Sequence, residues 1–188
     1  MQKRPRHVLL IGCAGGTLAT MLSRSGIRVT VVDINPVAFE IARRYFHLPA
    51  AVECRVSDGA AYLRQAIRYD AIVLDAFSHE IIPAHFRKAG FFRLVKARLN
   101  RSGIFLVNIT VFDDDDPKPD RIARTMKTVW RSVRLLDSDG FENRNAVAMA
   151  GAVGGLKRPR LLMKPAVRSR VLARELSELS FRRLRPLS

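Results

Sequence analysis

The sequence is poor in cysteine, in acidic side chains and in long apolar runs, and each shortage excludes a class of protein. Two cysteines in 188 residues, Cys13 and Cys54, give no disulfide framework. They point to a reducing compartment, so a cytoplasmic protein is expected. The longest stretch free of charged residues, 8–23, holds three glycines and falls short of the ~20 apolar residues that a membrane helix needs. No membrane span is therefore expected. Proline (9) and glycine (11) are too few for a collagen-like or low-complexity chain, and a 48% hydrophobic fraction suits one folded domain with a real core.

The shortage of acid is the most unusual feature. Lys and Arg number 33 against 17 Asp and Glu, for a formal net charge of +16. Segment 157–188 carries ten bases and two acids, a surplus of +8 that is half of the total. Such a balance favours anionic partners, nucleic acid among them, or reflects an arginine-rich solvated surface. The N-terminus resembles a lipoprotein leader, with basic residues 1–6, an apolar run and Cys13. Its pattern continues without a break into a second apolar run ending in an acid, which argues against a cleaved leader.

Short β-type runs alternate with segments of helical period. Strands are expected at His7–Ile11, Arg28–Val32, Ala51–Val56, Ala71–Leu74, Ile104–Ile109, Val133–Leu136 and Ala146–Ala150. Several are unbroken apolar runs, as strands buried on both faces are. Helices are expected at Gly16–Ser25, Pro36–Tyr45, Gly59–Arg64, Phe86–Leu99 and Asp120–Trp130, with Asn35 capping the second and Gly26 and Gly103 as stops. This alternation predicts an α/β fold with a doubly wound, mostly parallel, seven-stranded sheet. Only residues 137–145 separate the last two strands, so they should form an antiparallel hairpin. Residues 1–155 would make this domain, and 156–188 a basic connector, with Pro159 and Pro165, leading to a helix near Ala166–Leu179.

Gly12-Cys13-Ala14-Gly15-Gly16 follows the first strand and opens the first helix, where a Cβ would block a ligand's approach to the backbone. Asp33 ends the second strand, 21 residues after Gly12, at the spacing of a carboxylate that accepts from ribose hydroxyls. Together they predict a nucleoside site that includes Cys13 and Ile34; a structural glycine turn with a capping acid is the alternative. The loop is neither the dinucleotide G-x-G-x-x-G nor the phosphate-binding G-x-x-x-x-G-K-[ST]. Two further acids, Asp58 before Gly59 and Asp75, close the third and fourth strands. Carboxylates around a glycine turn suit a sulfonium nucleoside such as S-adenosylmethionine, which is cationic and carries no phosphate.

The segments VLLIGCAGGTLATML, VTVVDINPVAFEIARRYF, VSDGAAYLRQAIRYDAIVLDAFSHEIIPAHF and FFRLVKARLNRSGIFLVNI resemble the spermidine synthase family. They are most similar to its spermidine synthase-like branch of polyamine aminopropyltransferases, which has the class I methyltransferase fold. The resemblance spans about residues 7–110. It implies that Gly12, Gly15 and Gly16 line the amino-acid-derived arm of S-adenosylmethionine or its decarboxylated form, that Asp33 holds the ribose, and that Asp58 with Gly59 holds the adenine. Asp75 would match the first acid of the family's D-[ST]-[ST]-D motif, the base that deprotonates an attacking amine. An aminopropyl transferase of polyamine biosynthesis, with a homodimer as the family's habit, is what this implies.

The sequence also departs from the family. The motif reads Asp75-Ala76-Phe77-Ser78, so Ser78 stands where the second, polyamine-holding acid is expected, and the family's N-terminal β-rich domain has no counterpart. His79, Glu80 and His85 follow on the loop expected to roof the pocket, and any of the three, His79 first, is a candidate second base. Asp113 and Asp115, in an acidic run after the fifth strand, could attract an amine in place of the missing acid; a solvated loop is the alternative. No metal site is expected. Methyl transfer to a small molecule or nucleic acid, and nucleoside binding without catalysis, remain the competing readings.

Overall fold

Alternation within the apolar runs lets one sheet bury both of its faces. The computed structural model describes residues 4–79, 81–157 and 170–186. In β1 (His7–Ile11), Val8 and Leu10 point to one side and Leu9 and Ile11 to the other, and all four are buried. Val31 and Val32 of β2 (Arg28–Asp33) divide in the same way. The first face is covered by α1 (Thr17–Arg24) and α2 (Pro36–Phe46), through Ala19, Phe39 and Ala42. Asn35 caps α2 as expected, its side chain accepting from the Val37 N–H at 3.1 Å.

The second face is packed by α3 (Gly59–Tyr62), α4 (Ala89–Arg98) and α5 (Lys118–Lys127), through Tyr62, Phe92, Val95, Ile122 and Met126. Trp130 stacks on Phe105 there, with ring centroids 5.7 Å apart. A helix over Phe86–Leu99 was expected, but a 3₁₀ turn at Ala84–Arg87 precedes α4, with Lys88 extended between them. The break lets Phe86 and Phe91 both enter the core, their rings 4.8 Å apart. Gly103 does not stop this helix. It lies within β5 (Leu99–Val111), where the register against β4 (Tyr69–Leu74) shifts.

The strand order is β3-β2-β1-β4-β5-β7-β6-β8, and β3 (Glu53–Val56) through β5 are parallel. The chain winds outward from β1 to β3 and then returns to β4 on the other side of β1. Ligand crevices of open α/β sheets form at such a reversal, here between the ends of β1 and β4. The expected hairpin is present: β7 (Arg144–Gly151) is antiparallel to both β5 and β6 (Val133–Asp137). The sheet gains one strand over the seven expected. After α6 (Arg170–Glu178), residues Ser180–Arg182 form β8 and pair antiparallel with β6. Pro159, Pro165 and the first part of the expected C-terminal helix lie outside the described residues.

Charge explains why the C-terminal segment returns to the sheet. The Asp137 side chain, fully buried at the end of β6, accepts from Arg144 Nε and Arg182 Nε, each at 2.8 Å. Arg182 also donates to buried Asp120 of α5 at 2.9 Å, and Asp120 accepts the Arg185 N–H at 2.7 Å. One carboxylate thus ties together β6, β7 and β8. Burial by itself raises the Asp137 pKa, but the hydrogen bonds and charges of the two guanidiniums outweigh it and hold the group below the ordinary carboxylate range. A depressed pKa stabilises the fold above the unfolded value of about 3.9 and ceases to do so as pH falls through the folded value. Asp137→Asn should therefore cost about 3–5 kcal/mol in urea unfolding at pH 7, because two buried guanidiniums lose the carboxylate they share. The gap from the wild type should begin to narrow below about pH 4, where the unfolded chain takes up a proton that the native carboxyl still refuses, and close once pH passes the lower native value.

Candidate functional site

The crevice exists because Gly12 has no side chain. Gly12 sits at φ +104°, and a Cβ there would lie 2.1 Å from the Asp75 carbonyl oxygen. Its N–H donates to the Val32 carbonyl at 2.8 Å, and the Asp75 N–H donates to the Ile11 carbonyl at 2.8 Å. The ends of β1, β2 and β4 are pinned side by side in this way. Gly15 and Gly16 face elsewhere, against Phe46 and Leu48, and with Gly12, Cys13 and Asp75 they line a recess of about 250 Å³.

Beside the loop opens a cavity of about 500 Å³, lined by Gly12, Cys13, Asp33, Ile34, Asp58, Gly59, Asp75, Phe77, Ser78 and His85 among others. Among the described residues three carboxylates line it and no Lys or Arg does, in a chain whose net charge is +16. Asp33 clamps the loop: Oδ2 accepts the Cys13 N–H at 2.8 Å, and Oδ1 the Asn35 N–H at 2.9 Å. Each oxygen keeps a lone pair for a further donor. Ile34, 75% exposed, leaves an apolar side chain open beside it. Asp58 caps α3 through Oδ1, which accepts from Ala60 and Ala61, while its Oδ2 lies 3.0 Å from His85 Nε2. Asp75 Oδ1 accepts from Asn108 Nδ2 at 2.8 Å, and Oδ2 has no partner among the described residues. A carboxylate oxygen held in place yet open can accept a proton or orient an amine. Asn108 is absent from the sequence expectations, although an amide inside the run IFLVNITV was a readable signal.

The methyltransferase-domain family matches residues 8–103 of this sequence. The chain belongs to that family. It is 34% identical over 113 residues to a polyamine aminopropyltransferase of Vibrio vulnificus, an alignment covering 56% of the chain and 38% of the relative. A probable spermidine synthase of Corynebacterium glutamicum superposes with a TM-score of 0.69 at 22% identity, over 77% of the chain and 55% of that protein. Human methyltransferase-like protein 13, crystallised with SAH, gives 0.69 at 20% identity, over 93% and 80%. The fold is thus that of the class I methyltransferases, and the sequence is similar to polyamine aminopropyltransferases, as its motifs led one to expect. It spans 30% to 56% of the length of the curated aminopropyltransferases to which it is similar.

In this methyltransferase-family chain, nine of the expected residues share the larger cavity: Gly12, Cys13, Asp33, Ile34, Asp58, Gly59, Asp75, Ser78 and His85. His79 does not join them. It is exposed, at φ +49° in the tight turn closed by hydrogen bonds between Ser78 and Ile81. Glu80 lies outside the described residues. Asp113 and Asp115 are exposed and line neither this cavity nor the smaller one beside it, so the acidic run is not gathered at the crevice. The run builds its own loop instead: Asp113 accepts the Asp115 N–H, Asp116 accepts from Phe112 and Lys118, and Asp114 pairs with Arg144 at 2.9 Å.

Burial, together with the negative charge of Asp33, pushes the Cys13 thiol up to about 11. The thiolate is the reactive form, so Cys13 should be nearly inert at neutral pH. In a Cys54→Ser variant, iodoacetamide at pH 7.5 should alkylate Cys13 about two orders of magnitude more slowly than a free cysteine, as mass spectrometry would show.

Proposed function

We propose that the chain binds an S-adenosylmethionine-type nucleoside in the larger cavity and transfers an alkyl group from its sulfonium to an acceptor. The observation that carries this reading is the acidic cavity at the β1–β4 reversal, which no Lys or Arg lines among the described residues. Such a lining suits a cationic ligand without phosphates and disfavours a dinucleotide. In this reading Asp33 accepts from the ribose, Ile34 lies against the base, and Asp58 Oδ2 accepts from the adenine amino group while also facing His85. Gly12 and Cys13, with Gly15 and Gly16 in the adjoining recess, border the amino-acid-derived arm.

When bound, the sulfonium supplies a carbon activated for in-line displacement: the acceptor's lone pair bonds to that carbon as the C–S pair stays on sulfur. The chain's part is to align the acceptor and receive its proton. In this reading Asp75 does both, supported by Oδ1 held by Asn108 and an Oδ2 with no partner among the described residues, on a residue that lines the cavity. Aminopropyl transfer to an amine is the first reading, supported by the similarity to aminopropyltransferases. Methyl transfer is the second, favoured by Ser78 in place of the family's second acid and by the similarity to a human methyltransferase-like protein crystallised with SAH.

Thermal unfolding with S-adenosylmethionine, its decarboxylated form and NAD tests the reading. Either sulfonium nucleoside at 100 times its Kd should stabilise the fold by about 2.7 kcal/mol, and NAD should not. Asp33→Asn should abolish that shift. Asp75→Asn should keep it and lower turnover by about 10²–10⁴-fold. Preference for the decarboxylated form selects aminopropyl transfer, and preference for the intact form selects methyl transfer.

A further inference from the structure

The smaller cavity, about 220 Å³, adjoins the larger one. Phe77 lines both, and Ile109, in its wall, follows the Asn108 that holds Asp75. It therefore lies where an acceptor would extend away from the reacting centre. Its charge is opposite to that of its neighbour. Ile82, Ile109 and Ile122 give it an apolar floor, and Arg87, Lys118 and Arg121 give it three cations with no carboxylate among the described residues. Lys118 is already neutralised by Asp116 at 3.0 Å and lies over the Phe112 ring at 4.1 Å. The guanidiniums of Arg87 and Arg121 make no hydrogen bond or ion pair among the described residues.

Two guanidiniums that are unpaired among the described residues, beside an apolar floor, repel a polyamine and attract a planar anion, which each can bind through paired N–H donors. Asp113 and Asp115, the acids expected to draw in an amine, do not line the cavity. The volume holds roughly seven water-sized groups, enough for a short apolar body with a carboxylate. We propose, building on the transferase reading above, that the acceptor is a small organic anion with its apolar body in this cavity and its carboxylate on Arg87 and Arg121.

Calorimetric titration of the full chain with pentanoate, its amide and putrescine tests the proposal, with stabilisation by S-adenosylhomocysteine measured on the same samples. The carboxylate should bind at least tenfold more tightly than the amide or putrescine. Arg87→Gln and Arg121→Gln should each weaken it about tenfold, in line with a lost charge-assisted hydrogen bond, and leave the nucleoside shift unchanged. The doubly reversed Arg87→Glu/Arg121→Glu chain should prefer putrescine. Tighter binding of putrescine by the native chain, or carboxylate binding indifferent to both arginines, would overturn the proposal. So would displacement of the carboxylate by a short RNA at equal phosphate concentration, which would make the cations a polymer-phosphate site. Loss of the nucleoside shift with carboxylate binding intact sinks the transferase reading of the larger cavity and leaves the anion site standing.

Discussion

The contact between Gly12 and the Asp75 backbone is the constraint on which the site depends. Any side chain at Gly12 would collide with that carbonyl, so the ends of β1 and β4 could not lie together. Their proximity places Asp75 in the same crevice as Asp33, two strands away in sheet order. The loop's hydrogen bonds reinforce the arrangement, since Asp33 holds the Cys13 N–H while Gly12 reaches back to Val32. Ligand-facing groups and structural groups are therefore partly the same atoms. Asp33 and Asp58 each do local work, a loop clamp and a helix cap, before any ligand is considered.

Charge is sorted in this molecule rather than spread. Among the described residues, a chain with nearly twice as many bases as acids keeps Lys and Arg out of the larger cavity and places three cations in the smaller one. Elsewhere the fold consumes part of its excess. Arg144, Arg182 and Arg185 are bound to Asp114, Asp120, Asp137 and Asp139. Two of the bases in the C-terminal segment are thus structural ligands of carboxylates, so the sequence surplus there overstates the charge open to a partner. Sorting of this kind sets two cavities of opposite charge side by side.

Much of the fold was legible because buried parallel strands leave unbroken apolar runs and helices leave caps. His7–Ile11 and the Asn35–Pro36 start are where those rules place them. Three features escaped. β8 is three residues long and held by Arg182 on Asp137 and Asp120, a partnership between positions far apart in sequence that no local pattern encodes. Gly103 reads locally as a helix stop, whereas the strand register that claims it is a tertiary property. At the site, strand-end acids were visible because the period of the chain puts them at one sheet edge. The smaller cavity was not, since Arg87, Ile109 and Arg121 come from three separate elements and meet only through packing.

The placement of β8 also bears on how the sheet ends. An open sheet exposes unpaired N–H and C=O groups along its outer strands, a template for pairing with other chains. Among the described residues, one end here is the three-residue β8 and the other the four-residue β3. β8 carries a guanidinium committed to buried acids, and β3 carries Glu53 bonded to Arg55. Short edges bearing charge offer a second chain too few free backbone groups to build on. The same buried acid that fastens the C-terminal segment thereby guards the sheet against strand-by-strand aggregation.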